Sequence, residues 1–293
     1  MFYVIKPLKE VSFRWGGEFS PTLSGPMNKG VSEPLPMPST IVGFLRSITG
    51  SKRKDVEKLS LDEDLNTVGL KLWGPLLVNN GKYYAHSYPG KLIELNNWTA
   101  VKEVDMTEVV KVVSKIGIGV NMDSKSVIES KLGAREGRGY IESRLYTQQF
   151  VKINGGIVFE ADVSLKEGYY VIGGEGSVVK LEEFKGFKPP EEGKLGLVLS
   201  PIILEPKEGL VTIDDLYDVE VKECGKLGDI SNYVKVGLLG LGFNIAYNVR
   251  RPIYLAIMPG SVINCTKKNA GLFNDKGWGS ILPIKDYLSL IHI

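Results

Sequence analysis

Apolar residues in this chain recur mostly at every second position, and only briefly at helical spacing. Residues 2–15 read as a strand with imperfect alternation, Tyr3 and Ile5 and then Val11, Phe13 and Trp15. A long loop is expected at 16–38, whose prolines 26, 34, 36 and 38 lack backbone donors and favour extended geometry. Ser39 or Thr40 then caps a helix with Ile41, Val42, Phe44, Leu45 and Ile48 as its apolar set and Gly50 as its stop. Residues 51–66 are charged and read as a solvated helix or loop. A strand at 68–78, the turn dipeptide Asn80-Gly81 and the run 82–86 predict a hairpin. Residues 105–115 suit a short helix, and 116–145 are basic and glycine-rich. Strands at 146–153 and 157–163 flank Asn154-Gly155-Gly156. Further strands are expected at 169–173, 177–181, 195–204 and 252–258, with a helix opening near Thr212 or Asp214. Glycine loops are expected at 173–176, 237–242 and 277–279. Strands dominate without regular βα alternation, which predicts an α+β fold with mostly antiparallel sheets.

Composition narrows the class. The chain has 293 residues, 43% hydrophobic and 24% charged, enough for one large domain or two smaller ones and not the profile of a disordered chain. The 34 glycines exceed the ordinary share and call for tight turns or close backbone approach by a ligand. The net charge of +2 hides a segregation: +4 over 1–60, −2 over 61–130, +3 over 131–152, −8 over 155–224 and +5 over 225–293. That polarity suggests an anionic ligand on one surface and a protein neighbour or solvent on another. Cys224 and Cys265 are distant in sequence, form no CxxC, and cannot complete a zinc site with His86 and His292. A disulfide framework is excluded on this reading, and a reducing cytoplasm is expected. The start is charged by residue 6, unlike a signal peptide, and no apolar run reaches the about 18 residues of a membrane span.

Candidate chemistry is sparse. No GxxxxGK[ST] occurs, and 237–242 lacks the GxGxxG spacing, which argues against P-loop and dinucleotide-binding enzymes. Asp62-Glu63-Asp64 and Asp214-Asp215 read as solvated faces or helix caps. His86, near Tyr83 and Tyr84, suits metal-independent acid–base cleavage of RNA, but a plain strand histidine explains it better. The stretch 131–140 places Lys131, Arg135 and Arg138 among glycines. It can grip phosphate with Tyr140 stacked on a base, or be a surface turn with incidental charge. At the expected strand start, Arg250 and Arg251 face opposite sides, one towards phosphate and the other towards the acidic region. The Gly277-Trp278-Gly279 turn presents backbone to RNA or buries its indole.

These pieces together resemble a family, the third subunit of the Cmr complex, the type III-B CRISPR effector, within the repeat-associated mysterious protein superfamily. The matching stretches span almost the whole chain in order: residues 7–15, 34–46, 115–119, 136–146, 173–175, 200–204, 258–262 and 277–279. Two departures stand out: the segment 51–64 is more charged than the family's, and Trp278 occupies a position where phenylalanine is frequent.

The resemblance implies two ferredoxin-like (RRM-related) domains, divided here as 1–165 and 166–293. It implies a non-catalytic backbone subunit that recognises the repeat-derived 5′ tag of CRISPR RNA. Its implied partners are the large polymerase/cyclase-like subunit and the adjacent backbone subunit, with no membrane, metal or cofactor. The residues expected on the RNA path are Ser39, Thr40, Arg46, Arg135, Arg138, Tyr140, Arg250, Arg251, Ser261 and Trp278. The helix opened near Ser39 and Thr40 offers unpaired N–H groups to a phosphate. The 133–140 loop is expected to act as a thumb that splays a base, while the acidic 155–224 span repels RNA and is left to proteins or solvent. The rival reading is a metal-independent CRISPR-RNA endoribonuclease of the same superfamily, with His86 and Tyr84 as the acid–base pair.

Overall fold

The computed structural model describes residues 1–15, 29–49, 71–118, 133–135, 138–140, 145–173, 175–206, 213–241, 243–244, 249–250 and 252–287. The charged 51–66 segment and Arg251 lie outside them. The first half is built on β1 (Phe2–Pro7), α1 (Pro38–Thr49), β2 (Leu72–Asn79), β3 (Lys82–Ser87), β4 (Lys91–Asn96) and β5 (Thr99–Asp105). After the one-turn helix α2 (Met106–Val109) come β6 (Lys111–Ile118), β7 (Leu145–Lys152), β8 (Gly156–Ala161), β9 (Gly168–Ile172) and β10 (Ser177–Glu183). Eight of these strands form one antiparallel sheet in the order β9-β10-β1-β8-β2-β3-β4-β5. The sheet therefore continues through residue 183, past the division expected at 165.

The period-2 pattern feeds two cores at once. Tyr3, Ile5, Ile157 and Phe159 point to one face, where Ile41, Phe44 and Leu45 of α1 pack. Val4, Trp73, Leu76 and Val158 point to the other, where Leu197, Val262, Leu282 and Ile284 of the second half meet them. The second half contributes β11 (Leu195–Val198), α3 (Ile213–Tyr217), α4 (Leu227–Ile230), β12 (Ser231–Tyr233), β13 (Val236–Gly240), β14 (Ile253–Ile257), β15 (Val262–Ile263) and β16 (Ile281–Ile284). Its sheet runs β12-β15-β11-β16, and its outer face is covered by Leu216, Leu227 and Ile230 from the two helices. The layers are thus helix, sheet, sheet, helix.

Taken in chain order, β1, β2, β8 and β10 lie in space as fourth-first-third-second, and so do β11, β12, β15 and β16. Every neighbouring pair in both sets is antiparallel, and in each half helix follows the first strand and precedes the second.

Three local expectations change. The helix expected at 105–115 is confined to Met106–Val109, opened by an Asp105 and Glu108 capping box, because Lys111–Ile118 finds a strand partner in Leu145–Lys152. Most of the glycine loop expected at 237–242 is strand β13 instead, paired along β14. Cys224 and Cys265, read as unpaired, form a disulfide across 41 residues of sequence. Strand β15 leads into Cys265 and the turn after Val221 carries Cys224, a proximity that linear spacing does not reveal. A loop of that length confers about 4 kcal/mol in the chain-entropy account.

A polar lock joins the halves. Lys235 Nζ donates to Ser87 Oγ at 2.6 Å and to Glu103 Oε1 at 2.8 Å, Ser87 donates to Glu103, and Lys91 lies 3.0 Å from the same carboxylate. Burial pushes the Glu103 carboxyl up, but the hydrogen bonds from Lys235, Ser87 and Lys91 prevail and lower it to about 2. A carboxyl depressed in the fold stabilises above its unfolded pKa and loses that contribution as pH falls towards its folded one. Glu103→Gln is therefore expected to lower the thermal midpoint at pH 7. The gap to wild type should narrow as pH drops from about 5 to about 2, as scanning calorimetry at stepped pH would record.

Candidate nucleic-acid interface

Helix α1 begins earlier than its hydroxyl residues suggest. Pro38 is the first helical residue, and the N–H groups of Thr40 and Ile41 donate to the Met37 carbonyl at 3.0 and 3.3 Å. Proline suits this position because its missing N–H would be unpaired there anyway. Ser39 and Thr40 are consequently first-turn residues rather than caps, both half-buried. Arg46 lies in the last turn, where a cation also complements the helix dipole.

Opposite the outer face of α1 is the tip of the β9–β10 hairpin. Between them lies an open cleft of about 340 Å³, lined by Thr40, Gly43, Phe44 and Ser47 from the helix and Val171 and Gly173 from the hairpin. None of these six residues is ionisable. Phe44 meets Tyr170 edge-on, with ring centroids 6.1 Å apart, which fixes the helix against β9. Arg14 reaches Glu175 at 3.1 Å and Ser177 Oγ donates to the Glu10 carbonyl, tying this tip to the segment after β1.

That segment also anchors a projecting ladder. Val11 bridges Val151, and β7 pairs with β6 from Lys152↔Lys111 at the base to Leu145↔Ile118 at the far end. Lys115 is 3.3 Å from Glu10 and 4.4 Å above the Phe150 ring. A backbone hydrogen bond and Lys115 hold the Glu10 carboxyl below its ordinary range. The chain between the far ends of β6 and β7 contains the basic stretch, whose residues 133–135 and 138–140 pair as a hairpin with Arg135 opposite Arg138 and Gly133 opposite Tyr140. The side chains of Arg135, Arg138 and Tyr140 lie outside the described residues, as does that of Arg250, whose backbone pairs with Phe243.

Two expected contacts are corrected. Trp278 is fully buried among Trp15, Met37, Ile203, Leu239 and Met258, so the glycine-flanked turn buries its indole rather than displaying it. Ser261 is likewise fully buried; it accepts from the Lys235 N–H at 2.9 Å and donates to the Met258 carbonyl at 2.7 Å, which makes it a turn brace.

The acid–base alternative loses its geometry as well. His86 is fully buried, its Nε2 2.9 Å from Glu33 Oε2, with Trp15 edge-on at 4.4 Å. Glu33 also accepts from the Gly90 N–H at 2.8 Å. Tyr84 is buried too, and burial followed by the nearby Glu94 raises its phenol further from neutrality. Both side chains are therefore withdrawn from the surface in this arrangement. Among the described residues no group of three His, Cys, Asp or Glu is placed to hold a metal ion, and no helix is long and apolar enough to cross a membrane.

The sequence reading did not include Gly43, Ser47 or Val171 in the site. The one available signal was a glycine in the middle of a helical pattern, which costs helix stability.

No family model matches the chain. Among curated proteins, the CRISPR system CMR subunit Cmr3 of Saccharolobus solfataricus is 29% identical, over 89% of this chain and 84% of its own length. Among solved structures, a chain of the type III-B Cmr-beta complex bound to cognate target RNA and AMPPnP shares the fold with a TM-score of 0.58 at 22% identity. A chain of the same kind of complex bound to cognate target RNA gives a TM-score of 0.58 at 24% identity. Each covers 90% of this chain and 86% of its own.

Proposed function

The chain belongs to the third-subunit family of the Cmr complex, and from that premise we propose that it is an RNA-binding backbone subunit of a type III-B interference complex, without chemistry of its own. In this reading it recognises the repeat-derived 5′ tag of CRISPR RNA and docks the large subunit and the adjacent backbone subunit. The match to a Cmr3 protein along nearly the whole chain carries the proposal. The repeated fourth-first-third-second strand order supports reading both halves as ferredoxin-like, each keeping the helix between its first two strands. The burial of His86 and Tyr84 favours this function over an endoribonuclease.

The basic hairpin at the end of the β6–β7 ladder suits a phosphate-gripping thumb. Arginine binds phosphate bidentately, and sequence-tolerant contacts of this kind set affinity and salt dependence. The test is filter binding of 5′-tagged RNA by the assembled complex with Arg135→Ala and Arg138→Ala combined. Affinity should fall, and the slope of log affinity against log salt should shrink by about 1.4, the share of two phosphate contacts on a single strand. An unchanged affinity and slope would remove the hairpin from the RNA path.

A further inference from the structure

We infer that the Cys224–Cys265 disulfide is a thiol-exchange site, and that its reduction by a dithiol frees the loop that stitches the second half to the first. Cys224 lies in the turn of a short hairpin, where Glu220 and Val221 pair with Lys226 and Gly225. Its neighbours Glu223 and Gly225 both hold positive φ, 75° and 98°. That backbone is uncommon for a glutamate and persists only where its surroundings fix it. The bridge to Cys265 does so, beside a hydrogen bond from the Gly271 N–H to the Lys222 carbonyl at 3.0 Å.

Cys265 follows β15 and opens the loop 266–279, which crosses to the first half. Lys268 Nζ lies 2.5 Å from Glu160 of β8. The Asn269 amide donates to the Leu72 carbonyl at 3.0 Å, and the Leu72 N–H donates to the Asp275 carbonyl at 2.9 Å. The loop ends in the turn that seats Trp278 against Met37, just before α1. The sulfur bridge thus tethers one end of the loop and the buried indole the other. A segment tied at both ends gains little chain entropy on opening, and cutting one tie raises that gain. The Lys235–Glu103 lock and the core shared by Val4 and Val262 do not involve the bridge, so reduction loosens the loop and leaves the halves packed.

The two sulfurs differ in access: Cys224 is half-buried and Cys265 is buried. An entering thiolate therefore attacks Cys224 Sγ, the S–S bond breaks, and Cys265 leaves as a thiolate that takes up a proton. The second thiol of the reductant attacks the mixed disulfide, closes the reductant's own disulfide and returns Cys224 as a thiol. Two electrons and two protons pass from the dithiol to the protein.

The test compares the full chain, purified without reductant, before and after dithiothreitol. Before reduction no cysteine should alkylate in denaturant, and afterwards both should. The thermal midpoint should fall by about 5–10 °C on reduction. Amide hydrogen exchange should quicken by about 10- to 100-fold in peptides covering 266–279 and stay unchanged across the Asn80-Gly81 hairpin. Cys224→Ser, which leaves the buried Cys265 in place, should match reduced wild type with or without dithiothreitol. Two thiols still free after exposure to oxidised glutathione would overturn the inference at its first step. Equal exchange in both states, or quicker exchange confined to 219–226, would leave the bridge a local brace and overturn the latch. Should Cys224→Ser fail to fold, reduced wild type carries the same comparison.

Discussion

Replacing His86 with alanine is expected to lower stability by about 3–5 kcal/mol and to leave the handling of RNA by folded protein unchanged. The magnitude follows from what remains. Glu33 is buried against the imidazole, and removing the ring leaves its carboxylate with the Gly90 N–H as its remaining described partner. A buried carboxyl left short of a hydrogen bond costs more than the net worth of the bond it lost, and the vacated ring leaves a cavity besides. The loss also propagates. Glu33 belongs to the stretch that delivers the chain into α1, and Trp15, which packs edge-on against His86, donates its indole N–H to the Leu35 carbonyl at 2.7 Å. In a chain of this size, differential scanning calorimetry should record a midpoint lower by about 5–10 °C. Glu33→Ala with His86→Ala should cost much less than the two single changes added together, since both remove one interaction. Two results would refute this account. One is a midpoint within about 1 °C of wild type. The other is specific cleavage of repeat RNA in chelator that His86→Ala abolishes at unchanged stability.

How far the sequence could be read divides along the same line as local and distant contacts. The Asn80-Gly81 hairpin is encoded within a few residues and appears where expected, with Asn80 at a φ of 50° and Gly81 at 76°, whereas the strand expected at 2–15 ends at Pro7 and that expected at 195–204 breaks into Leu195–Val198 and Ile202–Ile203. Lys111–Ile118 was misread because its valines fit one helical turn as well as a strand. Its partner, 145–152, lies beyond the basic stretch, and pairing over that distance overrides local propensity. The Cys224–Cys265 bond is of the same kind, invisible until α3, α4 and β15 fold onto β11. Within the candidate site, charge and glycine singled out 131–140 as a basic loop, but not the pairing of 133–135 with 138–140. The cleft was not legible, because it depends on Gly43 facing the Gly173 turn from another element. Ser261 and Trp278 show the opposite error: flanking glycines signal an unusual backbone but do not say whether the side chain beside them points outward or inward.

Trp278 carries the second large prediction, because its burial links the two halves. Gly277 and Gly279 both adopt positive φ, 84° and 64°, and together they turn the indole inward. Around it pack Trp15 and Met37 from the first half and Ile203, Leu239, Ala256 and Met258 from the second. Trp278→Ala removes the largest fully buried side chain in the chain's described core and should cost about 3–5 kcal/mol. Among the described residues the indole Nε1 has no hydrogen-bond partner, so shape rather than polarity holds the ring. Trp278→Phe should therefore cost less than half as much, which fits phenylalanine being frequent at this position in the resembled family. The turn admits little else: a Cβ on Gly279 would lie 1.8 Å from the Ala270 carbonyl oxygen, and one on Gly277 3.0 Å from Leu72. Because a Cβ at Gly277 would also come within 3.7 Å of Pro38, collapse of this turn should disturb the start of α1 and weaken RNA binding along with stability. Thermal unfolding and tagged-RNA binding of Trp278→Ala and Trp278→Phe, measured side by side, decide the matter. If phenylalanine proves as damaging as alanine, the indole nitrogen matters after all. If alanine leaves both midpoint and affinity unchanged, the halves are joined without it.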